Sequence, residues 1–231
     1  MPKPLPTVLL TRPLAQARAF AHSLYAADFG GEVVISPLLE IHKTGATVDL
    51  NGCTGVVFSS RQAVELTPVQ DLPAWCVGDR TAQVARDAGW KAISAGGDAE
   101  ALFEKICADK PAGPLMHIRG EHSRGKLAQR LTEYGIPCKE TVLYQQNVQK
   151  MSDQGKQVLV GENPVILPLF SPRTARHFVQ VAHVTAPLLV IAMSDVVANE
   201  LKDMTLDHLL IASRPTADAM LEGIQILIDA A

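Results

Sequence analysis

The stretch Val56-Val57-Phe58-Ser59-Ser60-Arg61-Gln62-Ala63-Val64 decides the fold. A short apolar run without alternation suits a parallel strand covered on both faces. The hydroxyl residues at its end suit a helix N-cap, and helix-forming residues follow at once. The same strand–turn–helix pattern returns at Trp75-Cys76-Val77-Gly78-Asp79-Arg80-Thr81 and at Ala92-Ile93-Ser94 running into Asp98-Ala99-Glu100-Ala101-Leu102. It returns again at Met116-His117-Ile118-Arg119-Gly120-Glu121. A second set reads Leu169-Phe170-Ser171-Pro172-Arg173, then Leu189-Val190-Ile191-Ala192-Met193-Ser194, then Leu210-Ile211-Ala212-Ser213 leading into Thr216-Ala217-Asp218-Ala219-Met220. Its fourth unit is missing at the C-terminal end. A match stands at the other end of the chain, Val8-Leu9-Leu10-Thr11-Arg12-Pro13. The four-part pattern thus occurs twice, the second copy circularly permuted.

This organisation predicts an α/β protein of two similar doubly wound parallel-sheet domains joined by two extended linkers. Domain 1 is discontinuous, residues 1–36 with 149–231, and domain 2 is an inserted lobe over 45–142. The linkers are 37–44 and 143–148, and motion between the lobes is the default for such connections. Within domain 1, a strand over 8–11 precedes a helix opened by Pro13 and stopped by Gly30-Gly31, and a second strand covers 32–35. Helices are expected over 61–66, 81–88, 99–108 and 123–134, extended chain over 139–145, and over 146–154 a loop running into the first helical turn of the resumed lobe. Pro164, Pro168 and Pro172 crowd the strand at 165, which predicts a short, bulged or edge strand because proline cannot donate to a ladder.

Composition bounds the function. Of 231 residues 47% are hydrophobic and 19% charged, as in an ordinary globular protein. No apolar run approaches the roughly 18–20 residues of a membrane span, and Met1-Pro2-Lys3-Pro4-Leu5-Pro6 lacks a signal-peptide core. The expected location is cytoplasmic, with no membrane partner. A net charge of −3 argues against a nucleic-acid surface. Cys53, Cys76, Cys107 and Cys138 lie far apart and read as reduced structural thiols. The seven histidines show no metal-ligand spacing and read as solvated or core residues. No surplus apolar helix is evident, so a monomer is expected.

In open α/β sheets ligands bind beyond the C-terminal strand ends, where helix N-termini present unpaired N–H groups. Here those turns carry Thr11, Arg12, Ser60, Arg61, Thr81, Arg119, Ser171 and Ser194. Each hydroxyl also serves as an ordinary helix cap. Together, around a cleft shared by two lobes, they suit an anionic small molecule, a polycarboxylate above all. The phosphate loop, the dinucleotide glycine fingerprint and the nucleophile elbow are all absent from the sequence.

Leu10-Thr11-Arg12-Pro13 with Gln16, Ser59-Ser60-Arg61-Gln62-Ala63-Val64, Val77-Gly78-Asp79-Arg80-Thr81-Ala82, Arg119-Gly120-Glu121 and Val142-Leu143-Tyr144 resemble the uroporphyrinogen-III synthase family in residues and in order. The resemblance implies a two-domain, cofactor-free and metal-free lyase of tetrapyrrole (heme) biosynthesis. Its substrate would be hydroxymethylbilane, a linear tetrapyrrole polycarboxylate. The family expels the terminal hydroxyl, forms an azafulvene cation and a spiro intermediate, and closes the macrocycle with ring D inverted. By carry-over, Tyr144 is the candidate acid. Ser60, Thr81, Ser171 and Ser194 are carboxylate contacts, and transient contact with the preceding pathway enzyme is an expectation of the same kind. The alternative for Tyr144 is a structural aromatic in the return crossing. Two departures stand out: Ala192-Met193-Ser194-Asp195 replaces the family's Gly-x-Thr-Thr turn, placing an acid where a carboxylate would be repelled, and Ser59 replaces a common Thr.

Two other classes fit the residues: a two-lobed binding or sensor protein that closes on an anion without chemistry, and a glycosyltransferase-like enzyme, for which the lobes are small and no acidic nucleotide-sugar motif is present. The cofactor-free reading predicts that exhaustive chelation leaves turnover unchanged, measured as product formed before and after treatment; loss restored by a metal overturns it.

Overall fold

The computed structural model describes residues 5–122 and 125–231. The described elements, in chain order, are β1 (Thr7–Leu10), α1 (Leu14–Ala26), β2 (Val33–Ile35), β3 (Leu39–Lys43), β4 (Gly55–Phe58), α2 (Arg61–Glu65), β5 (Pro73–Cys76) and α3 (Asp79–Asp87). Then come β6 (Lys91–Ser94), α4 (Ala99–Asp109), β7 (Leu115–Gly120), α5 (Leu127–Glu133), β8 (Cys138–Val148) and α6 (Asp153–Leu159). The chain closes with β9 (Val165–Leu169), α7 (Pro172–Val181), β10 (Leu188–Ala192), α8 (Asp195–Ala198), β11 (His208–Ile211) and α9 (Ala217–Ala230). Two compact units result, one of residues up to Glu40 together with Asn147–Ala231, the other Ile41–Gln146.

The first unit holds a five-stranded sheet, β11-β10-β9-β1-β2, parallel throughout. Its strands β1, β9 and β10 are wholly buried, with α1 and α9 on one face and α7 and α8 on the other, as a parallel sheet requires. Helix α1 turns Ala17, Phe20, Ala21 and Leu24 inward at helical spacing. It ends earlier than the Gly30-Gly31 pair suggested. Asp28 takes a left-handed φ of 59°, and the Phe29 N–H returns to the Leu24 carbonyl at 3.1 Å. Gly31 serves close approach instead: a Cβ there would stand 2.5 Å from the Phe29 ring.

Strand β9 corrects the edge-strand expectation, for it runs between β10 and β1 at the centre of its sheet. Val165 donates to Pro187 on the β10 side, so alternation turns the position-168 nitrogen toward β1. The pairing with β1 extends only over Thr7–Val165 and Val8–Ile166. Pro168 withholds its donor on the β1 side, beyond the last paired residue, while the pairing with β10 runs on through Pro168 to Leu169. Of the loop expected over 146–154, the first residues are instead the end of β8, and the rest leads, as expected, into a helix, α6, capped by Ser152 through the Gly155 N–H at 3.1 Å.

The second unit holds a six-stranded sheet, β3-β8-β7-β4-β5-β6, in which β8, β7, β4, β5 and β6 pair in parallel. The segments read as linkers supply β3 and part of β8, which are neighbours in this sheet. The start of the helix expected over 123–134 lies at residues 123 and 124, outside the described residues, and α5 itself begins at Leu127.

The two sheet orders correspond term by term: β6-β5-β4-β7-β8 matches β11-β10-β9-β1-β2. Ser60 and Ser171, each an N-cap two residues past its strand, fix the register. The pairs Gly55–Leu115 and Val8–Ile166 then equate Arg119 with Arg12 and Gly120 with Pro13. This is the permuted repeat in three dimensions.

Helix α9 approaches β10 at Gly223, where a Cβ would collide with the Ile191 side chain. Gly223→Ala should cost about 1–3 kcal/mol by overpacking, read as a lowered urea midpoint with an unchanged m-value.

Candidate functional site

In the second unit the polar residues gather at the C-terminal ends of β4, β5 and β7, beside the point where successive strands leave β4 in opposite directions. Ser60 sits in extended backbone and caps α2, its hydroxyl accepting from the Ala63 N–H at 3.2 Å. The Tyr144 hydroxyl donates to the same oxygen at 2.8 Å. Two candidate residues 84 positions apart are thereby joined. With its oxygen accepting twice, Ser60 retains its own O–H for a further acceptor.

Tyr144 reaches Ser60 by crossing a neighbouring strand. It lies on β8, Ser60 follows β4, and β7 runs between them. A Cβ at Gly120 would stand 2.5 Å from the Tyr144 Cζ and 2.9 Å from its hydroxyl oxygen. The pairing shifts here, from Arg119–Val142 to Gly120–Tyr144, so Leu143 is an extra residue on β8. The ring is 7% exposed, and burial raises the phenol above its ordinary value while the Ser60 contact opposes that. Tyr144 is therefore a neutral proton donor at neutral pH.

Arg119 is engaged within the protein. Its Nε and Nη2 donate to the Glu140 carboxylate at 3.1 and 2.7 Å, and its Nη1 donates to the Gly120 and Glu121 carbonyls, both at 2.9 Å. The Arg119 bond holds the Glu140 carboxyl below its usual range. His117, on the same strand, is 1% exposed, with Nε2 3.1 Å from the Ser59 hydroxyl and no partner for Nδ1. Burial foremost, then the Arg119 charge, pushes its imidazole down to about 4.

Arg61 follows Ser60 and is half-buried. Burial lowers its guanidinium from the ordinary value, and the Arg80 charge adds to that. Thr81 lies buried in the first turn of α3, whose N-cap, Gly78, offers no side-chain acceptor. Asp79 in that turn accepts from the Ser94 hydroxyl at 2.7 Å.

The first unit has its own rim. Thr11 is fully buried and its hydroxyl has no partner. The Arg12 guanidinium lies 3.8 Å from the Phe170 ring centroid and 5.9 Å from that of Phe20. Ser171 caps α7 through Thr174, 3.2 Å to its N–H and 2.8 Å to its hydroxyl. Ser194 occupies the N-cap position of α8 without a side-chain cap bond, and Asp195 sits in the first turn, where the helix dipole favours an acid.

Sequence reading missed Gly120 and Glu140 as parts of this arrangement. The Arg119-Gly120-Glu121 motif held the signal, but only the register shift shows why a glycine stands there. All four thiols are raised by burial foremost, Cys76 to about 11 and Cys138 to about 12. Among the described residues no group of three or more His, Cys, Asp or Glu is placed to hold a metal ion, and no helix is long and apolar enough to cross a membrane.

Comparison with known proteins gives consistent matches. The family model HEM4, uroporphyrinogen-III synthase HemD, matches residues 21–222. A uroporphyrinogen-III synthase of Chlorobaculum parvum (strain DSM 263 / NCIMB 8327) is 28% identical over 192 residues, 74% of this chain and 77% of that protein. The crystal structure of uroporphyrinogen-III synthetase from Helicobacter pylori 26695 aligns with a TM-score of 0.69 at 19% identity, covering 96% of this chain and 99% of that one. A mutant uroporphyrinogen III synthase from the extremely thermophilic bacterium Thermus thermophilus aligns with a TM-score of 0.54 at 14% identity, covering 98% and 100%. These two structures share the fold.

His117 gives the site unit a pH signature. The folded protein keeps it neutral down to about 4, whereas the unfolded chain protonates it near 6.5. Its contribution is fully present above pH 6.5 and is lost as pH falls toward 4, by about 3 kcal/mol. Urea unfolding across that window should show the decline, and His117→Gln should flatten it.

Proposed function

The chain belongs to the uroporphyrinogen-III synthase family, and from that premise we propose that it closes hydroxymethylbilane to uroporphyrinogen III with the terminal ring inverted, using Tyr144 as proton donor. The observation that carries this reading is the Tyr144 phenol, held 2.8 Å from Ser60 at the C-terminal rim of a parallel sheet. The family match and the named relatives favour a cyclising lyase over a binding protein without chemistry.

The step asked of the protein is departure of hydroxide from the terminal carbon as the azafulvene cation forms. Hydroxide is a poor leaving group, and a proton delivered as the C–O bond breaks converts it to water. A phenol raised above about 10 can still supply that proton, since water has a pKa of about 15.7, once its O–H turns from the Ser60 oxygen to the leaving oxygen. Burial costs acid strength and ensures that the proton is present at neutral pH. Water returns the proton to the phenolate when the lost hydrogen of ring D re-enters solvent, so the overall change is loss of one water from the substrate.

Carboxylate recognition is supported by the groups around the phenol. Ser60 offers an O–H, the first turn of α3 offers N–H groups under an uncapped glycine, and Arg61 and Arg80 supply charge. The two guanidinium groups disfavour one another, a cost that an arriving carboxylate relieves. In the first unit, Arg12, Ser171 and Ser194 stand at matching strand ends and are the proposed contacts there, whereas Thr11 is enclosed in the core. A monomer working in the cytoplasm is the accompanying proposal.

The test is isomer analysis of the porphyrins formed from hydroxymethylbilane generated in situ. The parent should give the type III isomer in excess over the uninverted isomer that forms unassisted. Tyr144→Phe should lower kcat by about tenfold to a hundredfold while leaving the urea midpoint nearly unchanged. Full retention of rate removes Tyr144 from the mechanism, and a parent that yields only the uninverted isomer overturns the activity.

A further inference from the structure

Arg119 and Gly120 stand at the end of β7, the one with its guanidinium already engaged and the other without a side chain. The Arg119 side chain is spent on Glu140 and on two backbone carbonyls, and its solvent-accessible fraction is 15%. Gly120 is buried and has no side chain to offer. What they share is the path of one aromatic ring.

We propose that Gly120 and Arg119 are positioning residues for the Tyr144 phenol: the glycine leaves open the passage across β7, and the arginine locks both sides of that passage. Three observations converge on it. First, the Tyr144 ring fills the space a Cβ at Gly120 would need, with Cζ, Cε2 and the hydroxyl oxygen all within 2.9 Å of that point. Even alanine would force the ring off its course to Ser60. Second, the register shift between Arg119 and Gly120 places Tyr144, rather than Leu143, opposite the glycine. Third, the Arg119 guanidinium ties β7 to β8 through two hydrogen bonds to Glu140 and holds the exit of β7 through two more to the Gly120 and Glu121 carbonyls, and the Glu121 N–H closes the far side on the Tyr144 carbonyl at 2.9 Å. The ring thus has its backbone, its register and its passage fixed.

The internal repeat shows that the fold does not demand this glycine. The equivalent strand exit in the first unit carries Pro13 at the place of Gly120, and it precedes α1 without difficulty. Its arginine counterpart, Arg12, stacks on Phe170 and Phe20. The same exit thus tolerates a full side chain where no phenol crosses, and is emptied where one does.

This inference rests on the reading of Tyr144 as the phenol that faces the leaving hydroxyl, so its test carries one arm that needs no activity. Tyrosine labelled with carbon-13 at Cζ gives a resonance for Tyr144, assigned by its loss in Tyr144→Phe. In Gly120→Ala that resonance should shift, and its ionisation midpoint should fall toward the ordinary phenol value as the ring leaves its buried berth. In turnover, Gly120→Ala should lower kcat by about tenfold with KM within about twofold, and should add less than about twofold in a Tyr144→Phe background. An unmoved Tyr144 resonance overturns the proposal, and so does an equal loss of turnover in both backgrounds. Should Gly120→Ala fail to fold, Arg119→Lys decides: it keeps the charge but cannot bridge Glu140 and both carbonyls. A shifted Tyr144 resonance with reduced kcat supports positioning. Raised KM with an unmoved resonance makes Arg119 a substrate contact and overturns it. Full rate in Tyr144→Phe overturns the catalytic reading alone, and the resonance still decides the role of Gly120.

Discussion

A parallel strand must be covered on both faces, and that constraint organises the whole molecule. In the second unit β4 is buried at every position, with Val56 and Phe58 turned to one apolar layer and Val57 to the other. Polar chemistry then has nowhere to go but the strand ends. There the chain turns into helices whose first N–H groups lack partners, and hydroxyl residues collect to serve them. Ser60 is such a residue, placed by packing and then shared with a phenol. The candidate site is thus a by-product of how the sheet is covered, refined by the few side chains that reach across it.

Much of the fold was legible because the signal was local. Apolar runs such as Val56-Val57-Phe58 and Leu189-Val190-Ile191 are too short and too unbroken for anything but buried strands. The repeat could be read from the sequence because both copies use the same turn chemistry at the same strand ends. The misreadings came from residues whose context is not local. Pro168 reads as an edge signal, and only the partner registers reveal a central strand whose pairing with β1 ends before the proline while that with β10 runs through it. The Gly30-Gly31 pair reads as a helix stop, whereas Asp28 makes the stop and Gly31 admits a ring. Helix α6 is short, polar and contains Gly155, which packs where a Cβ would lie 2.8 Å from the Ser36 hydroxyl oxygen.

The site divides in the same way. Residue types at strand ends pointed to Ser60, Arg61, Thr81 and Ser171, and each lies at such an end. The pairing of Tyr144 with Ser60 was not readable, because it depends on a one-residue slip between β7 and β8. Arg119 illustrates the limit of type-based reading: its place at the rim was visible, but not that Glu140, on the neighbouring strand, pairs with it. Thr11 illustrates the opposite case, a hydroxyl at a rim position that the core encloses entirely.

The double acceptance at Ser60 has a consequence for the direction in which the network can act. An amide and a phenol both point their hydrogens at one oxygen, which polarises it and sharpens the acidity of the hydrogen it still carries. In such a relay each bond strengthens the next, so an acceptor that meets the serine would also tighten the contact between the serine and the ring behind it. A threonine at this place would preserve that polarity, whereas an asparagine, offering donors and an acceptor in fixed places, would break the relay into two separate contacts.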